Sequence, residues 1–315
     1  MKVAFLDDYH HAYKNTTGTK RIKEFAEVVI FNEPITDLSV LKEFDALVAT
    51  RERTKFTKTV FSQLPNLRII AQTGNHIYHF DMDAARQAGV QVGKASGGFC
   101  GAAGELTFGL MMAVMRQISN SDREIKAGGW PTPMTYVLHG KKIGIVGFGK
   151  IGRYVANIAQ AFGMEVLAWG SRLTAEVARE SGVRYVPLDD LLAEADIVSI
   201  HATLNASSRG LIDDRRIRLM KPTAYLINTA RGPIVDEAAL VSALQENRIA
   251  GAGLDVFDIE PLPNSHVFRS LNNVVLTPHL GWPTDVMYEQ FANAAADILL
   301  AFTKGEVFPQ FDSHF

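Results

Sequence analysis

Residues 141–163, KKIGIVGFGKIGRYVANIAQAFG, begin with a short apolar run that passes through three closely spaced glycines into a helical pattern. Gly147, Gly149 and Gly152 fit a dinucleotide-binding turn. The first can make the tight turn, the second leaves room for a pyrophosphate, and the third lets helix and strand pack closely. The helix N-terminus would then bind phosphate through its backbone N–H groups. The pattern predicts a dinucleotide site at these glycines, with Lys150 and Ile151 between them as further contacts.

Short β-rich runs alternate with helix-length stretches on both sides of this turn. The runs before it are residues 3–7, 27–31, 45–50, 67–72 and 90–93, and those after it are 165–169, 196–201, 224–229, 252–257 and 273–278. Alternation of this kind indicates parallel sheets with helices on both faces. Because roughly 140 residues precede the turn, enough for a domain of their own, we predict an α/β protein with two doubly wound parallel-sheet domains.

The composition is that of a globular enzyme. The 315 residues are 47% hydrophobic and 21% charged, enough for two cores, and the net charge of −2 offers no basic surface for nucleic acid. Cys100 is the single cysteine, so no internal disulfide is possible and a reducing, cytoplasmic location is expected. The apolar segment 106–115 is too short to span a bilayer and is predicted to be a buried helix, so no membrane partner is expected.

Three polar side chains follow three successive β-rich runs in the C-terminal half: Arg231, Glu260 and His279. The carboxyl ends of parallel strands meet at one edge of a sheet, where a doubly wound domain binds its cofactor. An arginine can hold a carboxylate with two parallel hydrogen bonds. A histidine exchanges protons near neutral pH, and a neighbouring carboxylate favours its protonated form. The set therefore predicts hydride transfer to an oxo acid, with Arg231 as anchor and His279 as acid and base.

The chain strongly resembles the D-isomer-specific 2-hydroxyacid dehydrogenase family, which includes glyoxylate/hydroxypyruvate reductases, D-lactate dehydrogenases and 3-phosphoglycerate dehydrogenases. The motifs that match in order and spacing are VGFGKIG (146–152), NTARGPIVDEAAL (228–240), AGAGLDVFDIEPLP (250–263) and LTPHLGW (276–282). The resemblance implies a flavodoxin-like substrate domain, residues 1–98 plus 284–315, with an inserted Rossmann NAD(P)-binding domain, residues 99–283. It also implies a homodimer formed through the apolar helix near 106–115.

The same resemblance implies the roles of individual residues. Arg231, Glu260 and His279 would be the catalytic set, with His279 as the acid and base. Gly74 would offer its backbone N–H to the substrate carboxylate, with Asn75 beside it. Asp255 would contact the nicotinamide amide, and Thr229, at the end of its β-rich run, is a further expected cofactor contact.

The activity implied is hydride transfer between nicotinamide C4 and a small 2-oxo acid, with glyoxylate or hydroxypyruvate favoured. Two alternatives stay open. One is an enzyme like 3-phosphoglycerate dehydrogenase. The other is a non-enzymatic, nicotinamide-sensing protein like the C-terminal-binding-protein corepressors, which share the fold.

The residues after the second strand of the predicted dinucleotide domain bear on the choice of cofactor. Dinucleotide folds that select NAD carry Asp or Glu there to bind the ribose hydroxyls. This chain has Gly170, Ser171 and Arg172 instead. A hydroxyl and a guanidinium favour a 2′-phosphate, so NADP is expected over NAD. The alternative is that Arg172 points to solvent and either cofactor binds.

The substrate loop, residues 72–81, carries polar and aromatic side chains whose roles the sequence leaves open. Asn75, His76 and Tyr78 are candidates to line the pocket, although Tyr78 equally fits a core position. Arg51 and Arg53 are candidates to reach a second anionic group, or to pair with Glu52 or another acid. His76 and His79 have a spacing compatible with a metal, but no other ligand cluster accompanies them, so no metal site is expected. Trp282 closes the pocket or packs beneath it.

Overall fold

The computed structural model describes residues 1–311 and divides them into two compact units. Unit 1 comprises Met1–Phe99 and the segment that starts at Pro283, and unit 2 is Cys100–Trp282. Each junction lies one residue from the predicted boundary, and the last four residues of the predicted segment 284–315 lie outside the described residues. The assignment of unit 1 to the substrate stays a prediction.

Unit 1 is a five-stranded parallel sheet with the strand order β2-β1-β3-β4-β5. Its strands are β1 (Lys2–Phe5), β2 (Glu27–Ile30), β3 (Ala46–Ala49), β4 (Ile69–Thr73) and β5 (Gln91–Ala95). Its helices are α1 (Thr17–Lys23), α2 (Lys58–Gln63), α3 (Met82–Gln87) and, from the C-terminal segment, α11 (Asp285–Lys304). All residues of β3 and β4 are buried. Continuous burial is typical of parallel strands that helices cover on both faces.

Unit 2 is a seven-stranded parallel sheet with the order β12-β11-β10-β9-β6-β7-β8. Its strands are β6 (Lys142–Val146), β7 (Glu165–Trp169), β8 (Arg184–Tyr185), β9 (Ile197–Ile200), β10 (Tyr225–Asn228), β11 (Gly251–Leu254) and β12 (Val274–Leu276). Its helices are α4 (Gly101–Met115), α5 (Ile118–Lys126), α6 (Lys150–Ala161), α7 (Ala175–Glu180), α8 (Leu188–Glu194), α9 (Asp214–Ile217) and α10 (Glu237–Gln245). The strand order reverses between β6 and β9, which makes the carboxyl ends of these strands the place where doubly wound sheets bind ligands. The predicted α/β class with two parallel sheets is confirmed.

The apolar helix predicted near residues 106–115 is α4, and it packs against β10, β11, β12 and α6 of its own unit. Most of its apolar side chains are buried there, among them Phe108, Leu110, Met111, Val114 and Met115. The predicted buried helix is therefore found, and the homodimer contact expected near it stays a prediction. Large exposed apolar side chains come after it, at Ile118, Ile125, Trp130, Met134 and Val137. Within residues 1–311, no helix combines the length and the apolar character that crossing a membrane requires.

Candidate active site

The glycine turn between β6 and α6 has the geometry that its sequence predicts. Gly147 has a φ of +102°, and its N–H donates to the carbonyl of Trp169 at 2.8 Å. A Cβ at Gly147 would lie 2.4 Å from the backbone nitrogen of Ala202, and one at Gly152 would lie 2.2 Å from the Gly147 carbonyl oxygen. Gly149 is the N-cap of α6 and has no neighbour within 4 Å of its Cβ position. The turn therefore leaves open space at the N–H end of α6, where Lys150 and Ile151 form the first turn.

Ser171 and Arg172 follow β7, and both are exposed. The residue before them, Gly170, accepts a hydrogen bond from the N–H of Leu173 at 3.0 Å, which closes the turn that presents both side chains. Thr229, the last predicted cofactor contact, is buried just after β10 and shares a 2.9 Å hydrogen bond with the hydroxyl of Thr107 on α4. Their contacts with a dinucleotide stay predictions.

Arg231 lies in a turn that Asn228 organises. The side-chain oxygen of Asn228 accepts from the N–H of Ala230 at 3.0 Å, and its amide nitrogen donates to the carbonyl of Arg231 at 3.0 Å. Asn228 is the last residue of β10 and is buried. The sequence analysis did not single it out, although an asparagine at a strand end followed by a turn is a known local signal.

Glu260 and His279 form a direct pair in unit 2. Nδ1 of His279 lies 2.7 Å from Oε2 of Glu260, and Oε1 of Glu260 accepts from the N–H of Phe257 at 3.0 Å. Burial raises the pKa of Glu260, but the hydrogen bond and charge of His279, the Phe257 N–H and the charge of Arg231 outweigh burial and leave that pKa below its ordinary value. The carboxylate is therefore ionised at neutral pH. Since Nδ1 is held by Glu260, Nε2 is the ring nitrogen of His279 left for proton exchange.

Asp255 anchors the loop that carries His279. Its carboxylate is fully buried and accepts three hydrogen bonds: from the Thr277 hydroxyl at 2.6 Å, the Leu280 N–H at 2.7 Å and the Gly281 N–H at 2.9 Å. Its backbone carbonyl accepts the N–H of His279 at 2.9 Å. Burial raises the pKa of this carboxyl, and the hydrogen bonds only partly offset that rise. The resemblance implied contact with the nicotinamide amide. That contact stays a prediction. The hydrogen bonds of Asp255 hold the loop that carries His279, which has a left-handed φ of 57°.

Gly74 and Asn75 end β4 in unit 1. Gly74 has a φ of +91°, and its N–H donates to the carbonyl of Ala95 at 3.1 Å. The sheet thus engages this N–H, and the contact of Gly74 with a substrate carboxylate stays a prediction. Asn75 is exposed, and its side-chain oxygen accepts from the Ser96 hydroxyl at 2.8 Å.

The remaining residues of the substrate loop separate by burial. Tyr78 is 76% exposed, which rules out the core alternative, whereas His79 is buried and its ring contacts those of Tyr78 and Phe80. His76 is half-buried and its ring lies 6.1 Å from that of Tyr78. Among residues 1–311, no group of three or more His, Cys, Asp or Glu side chains is placed to hold a metal ion. Trp282 is half-buried at the end of unit 2.

Arg51 and Arg53 lie at the carboxyl end of β3 and are engaged within unit 1. Nε of Arg51 lies 3.3 Å from Oε2 of Glu52. Nη1 of Arg53 donates to the carbonyl of Asp7, and its guanidinium lies 4.3 Å from the centre of the Tyr9 ring. The alternative in which Arg51 pairs with Glu52 is therefore the one observed.

Comparison with known proteins finds relatives along most of the chain. The family model described as D-isomer specific 2-hydroxyacid dehydrogenase, NAD binding domain, matches residues 108–281. A glyoxylate reductase from Thermococcus litoralis is 38% identical over 306 residues, 93% of this chain and 92% of that protein. A second one, from Pyrococcus horikoshii, is 40% identical over 281 residues, 86% of this chain and 84% of that protein. The crystal structure of a phosphoglycerate oxidoreductase from Vibrio cholerae superposes with a TM-score of 0.87 at 34% identity, covering 97% of this chain and 99% of that one.

Proposed function

This chain belongs to the D-isomer specific 2-hydroxyacid dehydrogenase family, as an oxidoreductase acting on CH–OH donors, and on that premise we propose that it reduces glyoxylate or hydroxypyruvate, with His279 as proton donor. The observation that carries the proposal is the 2.7 Å contact between Nδ1 of His279 and the Glu260 carboxylate. Arg231, Glu260 and His279 follow β10, β11 and β12, which are neighbours in the sheet. A proton donor and a cationic anchor are therefore presented at one sheet edge.

The residues around the glycine turn fit a dinucleotide. The open space at Gly149 lies beside the first N–H groups of α6, where a pyrophosphate is stabilised without a basic side chain. We propose that residues 147–152, Ser171, Arg172, Thr229 and Asp255 hold it. When bound, the nicotinamide supplies the hydride that reduces the carbonyl carbon.

The chain's own residues supply the proton and the orientation. Arg231 holds the carboxylate of the 2-oxo acid through paired hydrogen bonds. Protonated His279 donates from Nε2 to the carbonyl oxygen as the carbon is reduced, which gives the 2-hydroxy acid and neutral imidazole. Glu260 holds Nδ1 and stabilises the charged form beforehand, and Asp255 fixes the loop. We further propose that Gly74 and Asn75 contribute to substrate binding.

The test is a set of reductase assays with glyoxylate, hydroxypyruvate, pyruvate, phenylpyruvate and 3-phosphohydroxypyruvate, each with NADPH and with NADH. We expect turnover of glyoxylate or hydroxypyruvate to exceed that of the other three. A protein that binds the cofactor tightly but reduces none of the five would contradict the proposal.

An enzyme like 3-phosphoglycerate dehydrogenase is the second candidate, since the similar Vibrio cholerae structure is a phosphoglycerate oxidoreductase. The two candidates share hydride chemistry and differ in whether the substrate carries a phosphate. In the same assays this candidate predicts that 3-phosphohydroxypyruvate is the best substrate.

We propose NADP as the preferred cofactor because Ser171 and Arg172 are exposed after β7 where a carboxylate would select NAD. Arg172→Ala removes the cation available to a 2′-phosphate. We expect it to lower kcat/KM for NADPH about tenfold, the size of one charge-assisted contact, and to change that for NADH less than about threefold. Arg179→Ala, on α7 of the same unit, is the control. Equal losses with both cofactors, or a native preference for NADH, would contradict the NADP proposal.

We further propose that the protein acts as a homodimer in the cytoplasm. The support for a second copy is the group of exposed apolar side chains that follows α4, and the support for a reducing compartment is the single cysteine. Fractionation of cells that express the native protein tests the location.

A further inference from the structure

We propose that Thr107 is a positioning residue for the cofactor, because it takes up the hydroxyl hydrogen of Thr229 and leaves that threonine able only to accept hydrogen bonds. Thr229 then receives an N–H or O–H group of the nicotinamide riboside and does not bind a phosphate. The inference rests on the proposed function and deepens it, since it names the part of the dinucleotide that one contact recognises. Two features of unit 2 carry it: the direction of two hydrogen bonds and the place of Thr229 at the edge of the sheet.

The direction of the hydrogen bonds follows from the carbonyl oxygen of Ala103. The hydroxyl oxygen of Thr107 lies 2.8 Å from that carbonyl oxygen and 2.9 Å from the hydroxyl oxygen of Thr229. A carbonyl oxygen only accepts, and a threonine hydroxyl has one hydrogen, so Thr107 donates its hydrogen to Ala103. The hydrogen bond between the two threonines must therefore use the hydrogen of Thr229, which donates to Thr107.

The two threonines differ in what can reach them. Thr107 lies within α4 and is fully buried, whereas Thr229 keeps 8% of its surface exposed. Because the hydrogen of Thr229 is engaged with Thr107, the Thr229 oxygen presents only lone pairs to a bound molecule. A phosphate oxygen also presents only lone pairs and is repelled there. An N–H or O–H group is the partner that fits.

The place of Thr229 along the sheet edge favours the nicotinamide half of the cofactor. Thr229 follows β10, and β9 separates β10 from β6, whose end carries the glycine turn. With neighbouring strands about 4.8 Å apart, Thr229 lies roughly 10 Å along the sheet from the proposed pyrophosphate site. On its other side β10 pairs with β11, and the register that joins Asn228 to Leu254 brings Thr229 beside Asp255. A contact with the nicotinamide amide is predicted for Asp255.

The experiment measures the Kd of the dinucleotide by fluorescence titration, with whichever of NADPH and NADH binds the native protein more tightly. Thr229→Val removes the acceptor, and we expect the Kd to rise about fivefold, the size of one hydrogen bond. Thr107→Val removes the acceptor of the Thr229 hydrogen, which then turns toward the donor of the cofactor, so we expect a similar rise. Thr107→Ser keeps the hydroxyl and should stay within about twofold of the native Kd.

The double variant Thr107→Val with Thr229→Val separates a positioning role from a general effect on the fold. Because Thr107 acts through Thr229, the double variant should bind the dinucleotide no more weakly than Thr229→Val alone. Thr107→Ala repeats the comparison if Thr107→Val does not fold.

Two further ligands identify the part of the cofactor that Thr229 contacts. ADP carries the pyrophosphate but no nicotinamide riboside, so its Kd, measured by competition, should stay within about twofold in both valine variants. In the 3-acetylpyridine analogue of the cofactor, a methyl group replaces the amide nitrogen. If the effect of Thr229→Val disappears with this analogue, the donor is the amide N–H. If the effect is undiminished, the donor is a ribose hydroxyl.

Thr223→Val is the matched control, because Thr223 is exposed before β10 and so lies at the opposite edge of the same sheet. It should leave the Kd of the dinucleotide within about twofold. A native Kd in Thr107→Val, additive losses in the double variant, or an equal weakening of ADP would each overturn the inference.

These measurements need no turnover, which separates the inference from the proposed function. If the native protein binds the dinucleotide but reduces no oxo acid, the proposed function fails, and the Kd values still support or overturn the role of Thr107. A native protein that binds neither dinucleotide would overturn both.

Discussion

His279 carries the proposed proton transfer, and its left-handed φ of 57° dictates how it should be replaced. Asparagine tolerates that conformation, whereas alanine adds strain. We predict that His279→Asn lowers kcat by about a hundredfold or more, the usual contribution of a general acid, while the Kd for cofactor changes less than about threefold. Steady-state kinetics and cofactor fluorescence titration measure the two quantities.

The matched control is His11→Asn, since His11 is an exposed histidine of unit 1 with a φ of 52°. It should keep native turnover. Near-normal turnover of His279→Asn would show that the proton comes from another group.

Glu260 is ionised at neutral pH, because its pKa is lowered by the partners that outweigh its burial. Glu260→Gln removes the anion that stabilises protonated His279. We therefore predict that the alkaline limit of reductase activity moves to lower pH, in addition to a fall in kcat. The pH dependence of kcat/KM measures the shift.

Glu237→Gln is the control for Glu260, because Oε1 of Glu237 lies 3.0 Å from Nε2 of His266 in a second pair of the same kind. Its pH profile should match the native one. A uniform loss of activity in Glu260→Gln, with no shift along the pH axis, would contradict the role given to the carboxylate.

At this scale the sequence predicts which residues end neighbouring strands, but not how loops use their hydrogen bonds. Glu260 and His279 could be paired in advance because parallel strands place their carboxyl ends together. The hydrogen bonds to Asp255 come from three donors that only the folded loop brings together. The hydrogen bond from the Gly74 N–H to the carbonyl of Ala95 depends on the register between β4 and β5. Neither is visible in a single sequence.

His201 follows strand β9 and connects it to the strand that precedes the glycine turn. We expect this histidine to make the stability of the protein depend on pH. The His201 N–H donates to the Val146 carbonyl at 2.7 Å, and Nε2 lies 2.8 Å from the Ser199 hydroxyl. Burial lowers the pKa of His201 from 6.5 to about 4. In the unfolded chain His201 is protonated below about pH 6.5, whereas in the folded chain it is protonated only below about pH 4. We predict that the free energy of unfolding falls across that window.

His201→Asn should remove this part of the pH dependence. Urea unfolding at pH 7, 5.5 and 4.5 measures the free energy of unfolding of the native protein and of the variant. The difference between the two free energies should become smaller as the pH falls. His139→Gln replaces an exposed histidine of the same unit and should retain the native dependence. A difference between the native protein and His201→Asn that stays constant with pH would contradict the assignment.

Strands and helices whose sequences show a clear apolar pattern could be predicted. Elements that form only because of the residues packed beside them could not. The apolar runs predict buried parallel strands, as β3 and β4 show. The two-residue edge strand β8 has no pattern of its own and forms because β7 lies beside it. Helix α4 is apolar around its circumference, so its sequence could not separate a core helix from an interface helix.

For the whole molecule, the exposed apolar side chains after α4 support the proposed second copy. Trp130 is 85% exposed, Met134 81% and Val137 60%. An interface between subunits would cover these side chains, which lie within eight residues of one another in the sequence. We predict that light scattering at micromolar concentration gives twice the 34.6 kDa chain mass, and that Trp130→Ser combined with Met134→Ser gives the chain mass.

Val307→Ser is the control, because Val307 is 99% exposed in unit 1 and stands apart from this group in sequence. It should not change the mass. A native protein that is monomeric at micromolar concentration would refute the dimer.

Unit 1 is discontinuous along the chain, and this has a consequence for how the protein is made. Helix α11 packs against α1, β4 and β5, yet it is translated after all of unit 2. On the ribosome, the first 99 residues emerge without the helix that covers their sheet, while residues 100–282 emerge as a complete folding unit. Unit 2 is thus able to fold while synthesis continues, whereas the apolar face of β4 and β5 stays uncovered until α11 has been translated.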